Sequence, residues 1–425
     1  MFTILMVCML IFFALSVPIA VSIGLASAIA LWWDGGTPII VLVQRSFTSI
    51  DSFPLMAIPF FILAGTLMEY GGISKRLIAL ANALTGHLPG GLAIVTVVTA
   101  MFFSAISGSS AATTAALGSM LIPAMINRGY HANFAGATQA VSGELGIIIP
   151  PSIPMILYGV TASVSIGDLF LAGFVPGILI GFALIMTVYV VSKRRGYTRE
   201  PKKSMPEVFQ AFKEAFWALL MPVIILGGIY GGIFTPTEAA GIAVGYAFIV
   251  GVVIYREIKI KQIVTILTQS SITTAIIMFI ISTAGLFGWI ITRENVPQMV
   301  AEFFTGISSN PIIFLLLVNL FLLIVGMFME TNASIIILAP LLLPVAMQMG
   351  IDPVHFGIIM IVNLALGMCT PPLGVNLFIS AQLAKIRLDQ ISVGMLPYYA
   401  VLLVTLLLLT FIPQLSIGLV QLFKS

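Results

Sequence analysis

The sequence predicts an all-α polytopic membrane protein folded as an inverted repeat with two re-entrant hairpins and two interrupted helices. Three observations carry this. Sixty per cent of the 425 residues are hydrophobic and 8% are charged, against about one quarter charged in soluble domains. Runs such as 181–191 and 401–412 are continuously apolar rather than alternating, so the spans are helices and not barrel strands. A series of glycines and prolines in the first half recurs 221 positions later in the second.

A hydrocarbon core of roughly 30 Å takes about 20 apolar residues per helix, which leaves room for about a dozen spans. The first repeat, 1–205, reads as scaffold helices over 1–70, a hairpin at 89–127, a broken helix at 134–165, a helix at 168–192 and a linker at 193–205. The linker carries Lys193, Arg194, Arg195, Arg199, Lys202 and Lys203 against Glu200. The second repeat, 206–425, gives the same elements in the same order. Its scaffold helices fall at 206–292, its hairpin at 311–347, its broken helix at 355–385 and its last helix at 392–423.

The repeat is checked by position. Pro371 follows Pro150 by 221 residues, and the same offset relates Pro123 to Pro344, Gly129 to Gly350, Gly136 to Gly357, Gly146 to Gly367 and Pro151 to Pro372. It continues through Asp168 and Asp389, Gly173 and Gly394, Pro176 and Pro397. Glycine and proline set backbone shape, so the halves are expected to share a fold.

Lysine and arginine favour the cytoplasmic side, which puts the linker inside. The clusters Lys75 with Arg76, Arg256 with Lys259 and Lys261, and Lys385 with Arg387 also fall inside if each hairpin enters and leaves from one side. Each half then crosses an odd number of times, and both termini face outward. Inverted repeats with interrupted helices are the architecture of secondary transporters. Residues 44–52 and 258–270 are more polar than their flanks and read as helices lying along the membrane surface.

Other classes are poorly served. The net charge of +3 comes without a basic patch, so no nucleic-acid partner is expected. Cys8 and Cys369 lack metal or redox spacing. There is no HExxH, no Gly-x-Ser-x-Gly and no intramembrane Asp pair, so an enzyme is not expected.

The strongest local signal is the pair Gly146-Ile147-Ile148-Ile149-Pro150-Pro151 and Gly367-Met368-Cys369-Thr370-Pro371-Pro372. Proline has no N–H, so the carbonyl four residues earlier loses its partner. Pro150 and Pro151 free those of Gly146 and Ile147; Pro371 and Pro372 free those of Gly367 and Met368. Each freed group costs several kcal/mol in lipid, and so must face protein, water or a cation. The second signal is the hairpin tips, 104–114 with Ser104, Ser107, Ser109 and Ser110, and 326–334 with Glu330 and Asn332. Freed carbonyls and hydroxyls suit a hard monovalent cation, and restarting helix N-termini suit a carboxylate.

These tips, the doubled Gly-x-x-x-Pro-Pro breaks and the order of spans resemble the large membrane subunit of tripartite ATP-independent periplasmic (TRAP) transporters, over essentially the whole chain. The resemblance implies an elevator-type subunit of the bacterial inner membrane. It implies sodium-coupled uptake of a small organic anion such as a C4-dicarboxylate or sialic acid. A periplasmic substrate-binding protein would deliver the anion, and a separate small four-helix membrane subunit would complete the assembly; lipid surrounds it. No cofactor is implied beyond Na+ as coupling ion. Carried over residue by residue, one sodium site would use Ser104, Ser107, Gly146, Ile149 and Pro151, and the other Gly326, Gly367, Thr370 and Leu373. The second tip has Val325 and Phe328 where the first has Ser104 and Ser107, so its site leans more on backbone oxygen.

Substrate contacts are expected from Ser109, Ser110, Ser152, Asn332 and Asn376, at the tips and the restarting helices. Glu144 is read as a carboxylate bonded to free N–H groups at the break, or else as a proton relay. Glu330 is read as the cap of its hairpin's second arm, and Glu238 as a first-turn residue. The competing reading is a proton-coupled or binding-protein-independent carboxylate transporter, for which only Glu144 and Glu330 would serve as the acidic pair.

Overall fold

The computed structural model describes residues 1–197, 199–307 and 310–424. Thr198 of the linker, Ser308, Ser309 and the terminal Ser425 lie outside the described residues. Every regular element among the described residues is helical. Eight of the helices are long and apolar enough to cross a membrane, and the bent pair Ala132–Ile148 and Ile153–Ala162 adds a ninth.

The repeat is visible in the element boundaries. The first hairpin is Gly91–Ser107 and Ser110–Asn127; the second is Pro311–Phe328 and Thr331–Gln348. The interrupted helices are Ala132–Ile148 with Ile153–Ala162, and Pro353–Gly367 with Val375–Ala384. Shifting the first hairpin by 221 positions reproduces the second to within a residue. The Pro150–Pro151 and Pro371–Pro372 bonds, at the same offset, are both cis.

Local chemistry explains the starts. Ser109 caps the outgoing arm of the first hairpin, accepting from the Ala112 N–H. Glu330, at the equivalent place, caps the second arm by accepting from Asn332 and Ala333 N–H groups. Pro353 stands at the start of its helix, where a missing N–H costs nothing, and Asp352 accepts from Val354 and His355. Glu238 closes a capping box with Thr235, the structural role expected of it.

The elements form two bodies. Phe2–Ala14, Ile19–Asp34, Phe53–Tyr70, Met205–Tyr230, Pro236–Ile254 and Ile260–Arg293 pack on one another as the outer frame. The hairpins and interrupted helices pack together with Ile166–Arg195 and Leu388–Phe411. Helix Ile73–Thr85 bridges the bodies, touching both Met205–Tyr230 and the first hairpin. In the second half Val296–Ile307 takes the corresponding place beside the second hairpin and Ile260–Arg293.

Two expectations are corrected. Residues 258–270 are not a surface helix: from Ile260 they open a continuous 34-residue helix, Ile260–Arg293, because polar side chains at the end of a long span let it project beyond the apolar layer. Its supposed counterpart is a separate helix, Ile40–Ile50. The last span is not single. Leu388–Phe411 ends at Ile412, and Pro413, which cannot continue a helix, leads into Gln414–Lys424.

Candidate functional site

Each hairpin tip is seated in the break of its own repeat. In the first, the Ile153 N–H donates to the Gly108 carbonyl at 3.2 Å. Gly108 turns the chain with φ +62°, a conformation that favours glycine. Gly146 lies beneath the same tip, where an added Cβ would stand 2.6 Å from both the Ser109 carbonyl oxygen and Thr113 Oγ1. In the second, the Gly374 N–H donates to the Met327 carbonyl at 3.2 Å. A Cβ on Gly326 would lie 3.0 Å from the Cα of Gly367.

The structure therefore brings Ser104, Ser107, Gly146, Ile149 and Pro151 to one tip-and-break unit, and Gly326, Gly367, Thr370 and Leu373 to the other. The first unit is closed. Ser104 is fully buried and donates to the Ala100 carbonyl at 2.5 Å, while Ser107 Oγ donates to Ser109 at 3.3 Å. The second is more open, with Leu373 52% exposed.

The freed carbonyls have different fates. Ile147 accepts from the Ser152 hydroxyl at 2.6 Å. The donor that would have met Gly146 is Pro150, which has none, and the Ile149 N–H goes to Leu145 at 2.9 Å. In the second break Gly367 accepts from the Thr370 N–H at 2.9 Å and Met368 from the Asn376 N–H at 3.0 Å. A carbonyl has two lone pairs, so Gly367 retains capacity for a second partner.

Between the tips and the frame lies a cavity of about 560 Å³, within the usual size of small-molecule sites. Ser107, Ser109 and Ala112 of one tip and Glu330, Asn332 and Ala333 of the other form one wall. Pro18–Val21, with Gly65, Thr66 and Glu69 of one frame helix and Thr273, Ile276 and Ile280 of another, form the other. An inner chamber of about 20 Å³ continues past Ser110 and Asn332 to Met368.

Of the expected substrate contacts, Ser109, Ser110 and Asn332 line this space, and Asn332 Oδ1 is unpartnered among the described residues. Ser152 and Asn376 do not line it. The Ser152 hydroxyl is committed to Ile147 and the Met155 N–H, and Asn376 is buried behind Ser110.

Glu144 corrects an expectation. It is fully buried, and no N–H group donates to either carboxylate oxygen among the described residues, so it is not held by N–H groups at the break. It lies two residues before Gly146 and beside Cys369. Glu330 by contrast accepts from the Asn332 N–H at 2.9 Å, the Asn332 side chain at 2.8 Å and the Ala333 N–H at 3.4 Å.

The frame's contribution was missed from the sequence. Glu69 lines the cavity; an ionisable residue inside the apolar run 57–70 is itself a signal. Gly65 brings the frame against the first tip, where a Cβ would meet the Ser107 carbonyl oxygen at 3.5 Å.

Comparison with known proteins shows the family and the fold. Residues 6–415 match the family described as "Tripartite ATP-independent periplasmic transporter, DctM component". The isethionate TRAP transporter permease protein DctMQ of Oleidesulfovibrio alaskensis is 48% identical over 95% of this chain, which spans 64% of that relative's own length. The C4-dicarboxylate TRAP transporter large permease protein DctM of Pseudomonas aeruginosa is 43% identical over 94% of this chain and 93% of its own. The crystal structure of the Alcanivorax borkumensis YdaH transporter shares the fold, with a TM-score of 0.60 at 16% identity over 87% of this chain and 86% of that one. The chain is thus a multi-pass membrane protein that belongs to the DctM component family of the tripartite ATP-independent periplasmic transporters.

Proposed function

We propose that this chain couples inward sodium flow to uptake of a small organic anion, as the transport subunit of a TRAP transporter in a bacterial inner membrane. The single observation that carries the reading is the seating of each hairpin tip in the break of its own repeat. This brings backbone carbonyls and hydroxyls of tip and break together in each repeat. Sodium occupies the first pocket through Ser104, Ser107, Gly146, Ile149 and Pro151, and the second through Gly326, Gly367, Thr370 and Leu373. The anion lies in the 560 Å³ cavity against Ser109 and Asn332. Its cargo is a carboxylate or related acid; the relatives are named for isethionate and C4-dicarboxylate.

A periplasmic binding protein delivers the anion, and a small membrane subunit supports the frame. The inner body moves against the frame as an elevator, with both chain termini outside. Moving one charge through 100 mV is worth about 2.3 kcal/mol, so two sodium ions with a monoanion would feel the membrane potential.

The test is uptake into proteoliposomes holding this chain with its small subunit and binding protein, under an inward sodium gradient or a potassium gradient of equal size. Uptake that follows sodium alone supports the proposal; uptake indifferent to sodium and driven by an imposed pH gradient defeats it. That second outcome belongs to proton coupling, for which Glu144, buried and held by no N–H group among the described residues, is the first candidate relay.

A further inference from the structure

We infer that Ser110 and Asn376 form the link through which the two cation pockets sense each other, so that sodium binds to the two repeats cooperatively. The inference rests on the sodium reading above. Asn376 Nδ2 donates to Ser110 Oγ at 2.6 Å, and this contact joins the hairpin tip of the first repeat to the break of the second. Ser110 is 2% exposed and Asn376 fully buried, so water does not compete for the bond.

Each partner is one step from a pocket. Ser110 follows Ser109, whose carbonyl oxygen faces Gly146 and accepts from the Ser107 hydroxyl. Asn376 donates its own N–H to Met368, the carbonyl left open by Pro372, at 3.0 Å. Its side-chain amide also reaches the Ala140 carbonyl at 3.4 Å and Cys369 Sγ at 3.6 Å. One side chain therefore touches the first tip, the first interrupted helix and the second break. Thr331 Oγ1 extends the path to the second tip, 2.9 Å from Met368 Sδ.

The tip and the break are the segments that helical hydrogen bonding does not fix. A cation that orders Ser107–Ser109 against Gly146 also sets the position of Ser110, and through Asn376 the carbonyls of the second break. Two sites that bias one shared element are coupled, and the coupling is reciprocal. This assigns Ser110 and Asn376 a positioning role, distinct from contact with the transported anion.

The experiment is equilibrium binding of ²²Na⁺ to the purified full chain, comparing the parent with Ser110→Ala, Asn376→Ala and Ser110→Thr, which keeps the hydroxyl. The expected result is a Hill slope above 1 in the parent and a slope of 1 in both alanine variants. Their half-saturating sodium should rise about fivefold or more, the lower end of usual coupling between sites. Ser110→Thr should behave as the parent, which a loss of general stability would not predict. If Asn376→Ala fails to fold, Ser110→Ala reads the same link from its other end. A parent slope of 1, or alanine variants that keep the parent slope, overturns the inference while leaving sodium binding intact. Absence of saturable sodium binding in the parent removes the sodium reading itself, and the inference with it.

Discussion

The N–H of Ile153 donates to the carbonyl of Gly108 at 3.2 Å, tying the restart of an interrupted helix to the turn of a hairpin. A related bond joins tip and break in the second repeat: the donor, Gly374, lies 221 positions after Ile153, and its acceptor at 3.2 Å, Met327, lies 219 after Gly108. Because each bond joins the end of a hairpin arm to the restart of an interrupted helix, tip and break fix each other's geometry. They form one unit in each repeat, and the cavity lies between the two units and the frame.

Gly146→Ala should separate tip from break in the first repeat, since its Cβ would meet the Ser109 carbonyl oxygen at 2.6 Å. Overpacking of this kind costs about 1–3 kcal/mol, and the sodium-dependent part of stability should vanish as well. Gly227→Ala, whose Cβ meets nothing within 4 Å, is the control and should be neutral or slightly stabilising. Thermal unfolding of both variants with and without NaCl checks this.

The two tip caps should differ in weight. Ser109→Ala removes one accepted N–H and should cost about 0.5–2 kcal/mol. Glu330→Ala strands two backbone N–H groups and the Asn332 amide, and should cost more than Ser109→Ala. Glu330→Gln, which keeps an acceptor at the same reach, should recover part of the loss in the same unfolding assay.

Asn332→Ala and Ser152→Ala should part ways. Asn332 lines the cavity with its Oδ1 unpartnered among the described residues, so its loss should lower uptake without changing sodium binding. The Ser152 hydroxyl satisfies Ile147 and caps the next helix. Its loss leaves a buried carbonyl open, at about 1–3 kcal/mol, and should lower the unfolding temperature. Uptake kinetics and unfolding on the two variants separate the roles.

The bodies also meet on the far side, where Phe423 of the terminal helix lies 6.0 Å from Tyr230 of the frame, ring centre to ring centre. Helix Gln414–Lys424 rides on the inner body, packed on Ile166–Arg195, with Lys424 paired to Asp168 at 2.5 Å. A disulfide between Tyr230→Cys and Phe423→Cys should therefore arrest transport, and reduction should restore it. Full uptake in the cross-linked protein would mean that the bodies do not move apart at this point.

What could be read from the sequence follows from what residue types dictate locally. Pro150, Pro151, Pro371 and Pro372 force breaks wherever they stand, and glycines at a constant offset force equal turns, so the repeat, the hairpins and the broken helices were legible. Packing between segments distant in sequence was not. Glu144 was read as bonded to N–H groups because it stands near a break. The rotation of its helix instead turns it toward Cys369, 225 residues away in the second repeat. Asn376 looked like a substrate contact because it restarts a helix, yet its amide is spent on Ser110. Residues 258–270 looked like a surface helix because a polar stretch reads alike whether it lies flat or projects from a span. Pro413 was visible, and its break was lost inside a long apolar run.

The measurement that bears most directly on the central claim is thermal unfolding of the purified chain in NaCl, KCl and choline chloride at matched ionic strength, with Ser107→Ala and Thr370→Ala alongside. A ligand that binds only the folded state adds RT ln(1 + [L]/Kd), about 2.7 kcal/mol at a hundredfold excess over Kd. The account predicts a rise in unfolding temperature specific to sodium and reduced in both variants. Equal unfolding temperatures in sodium, potassium and choline would contradict it.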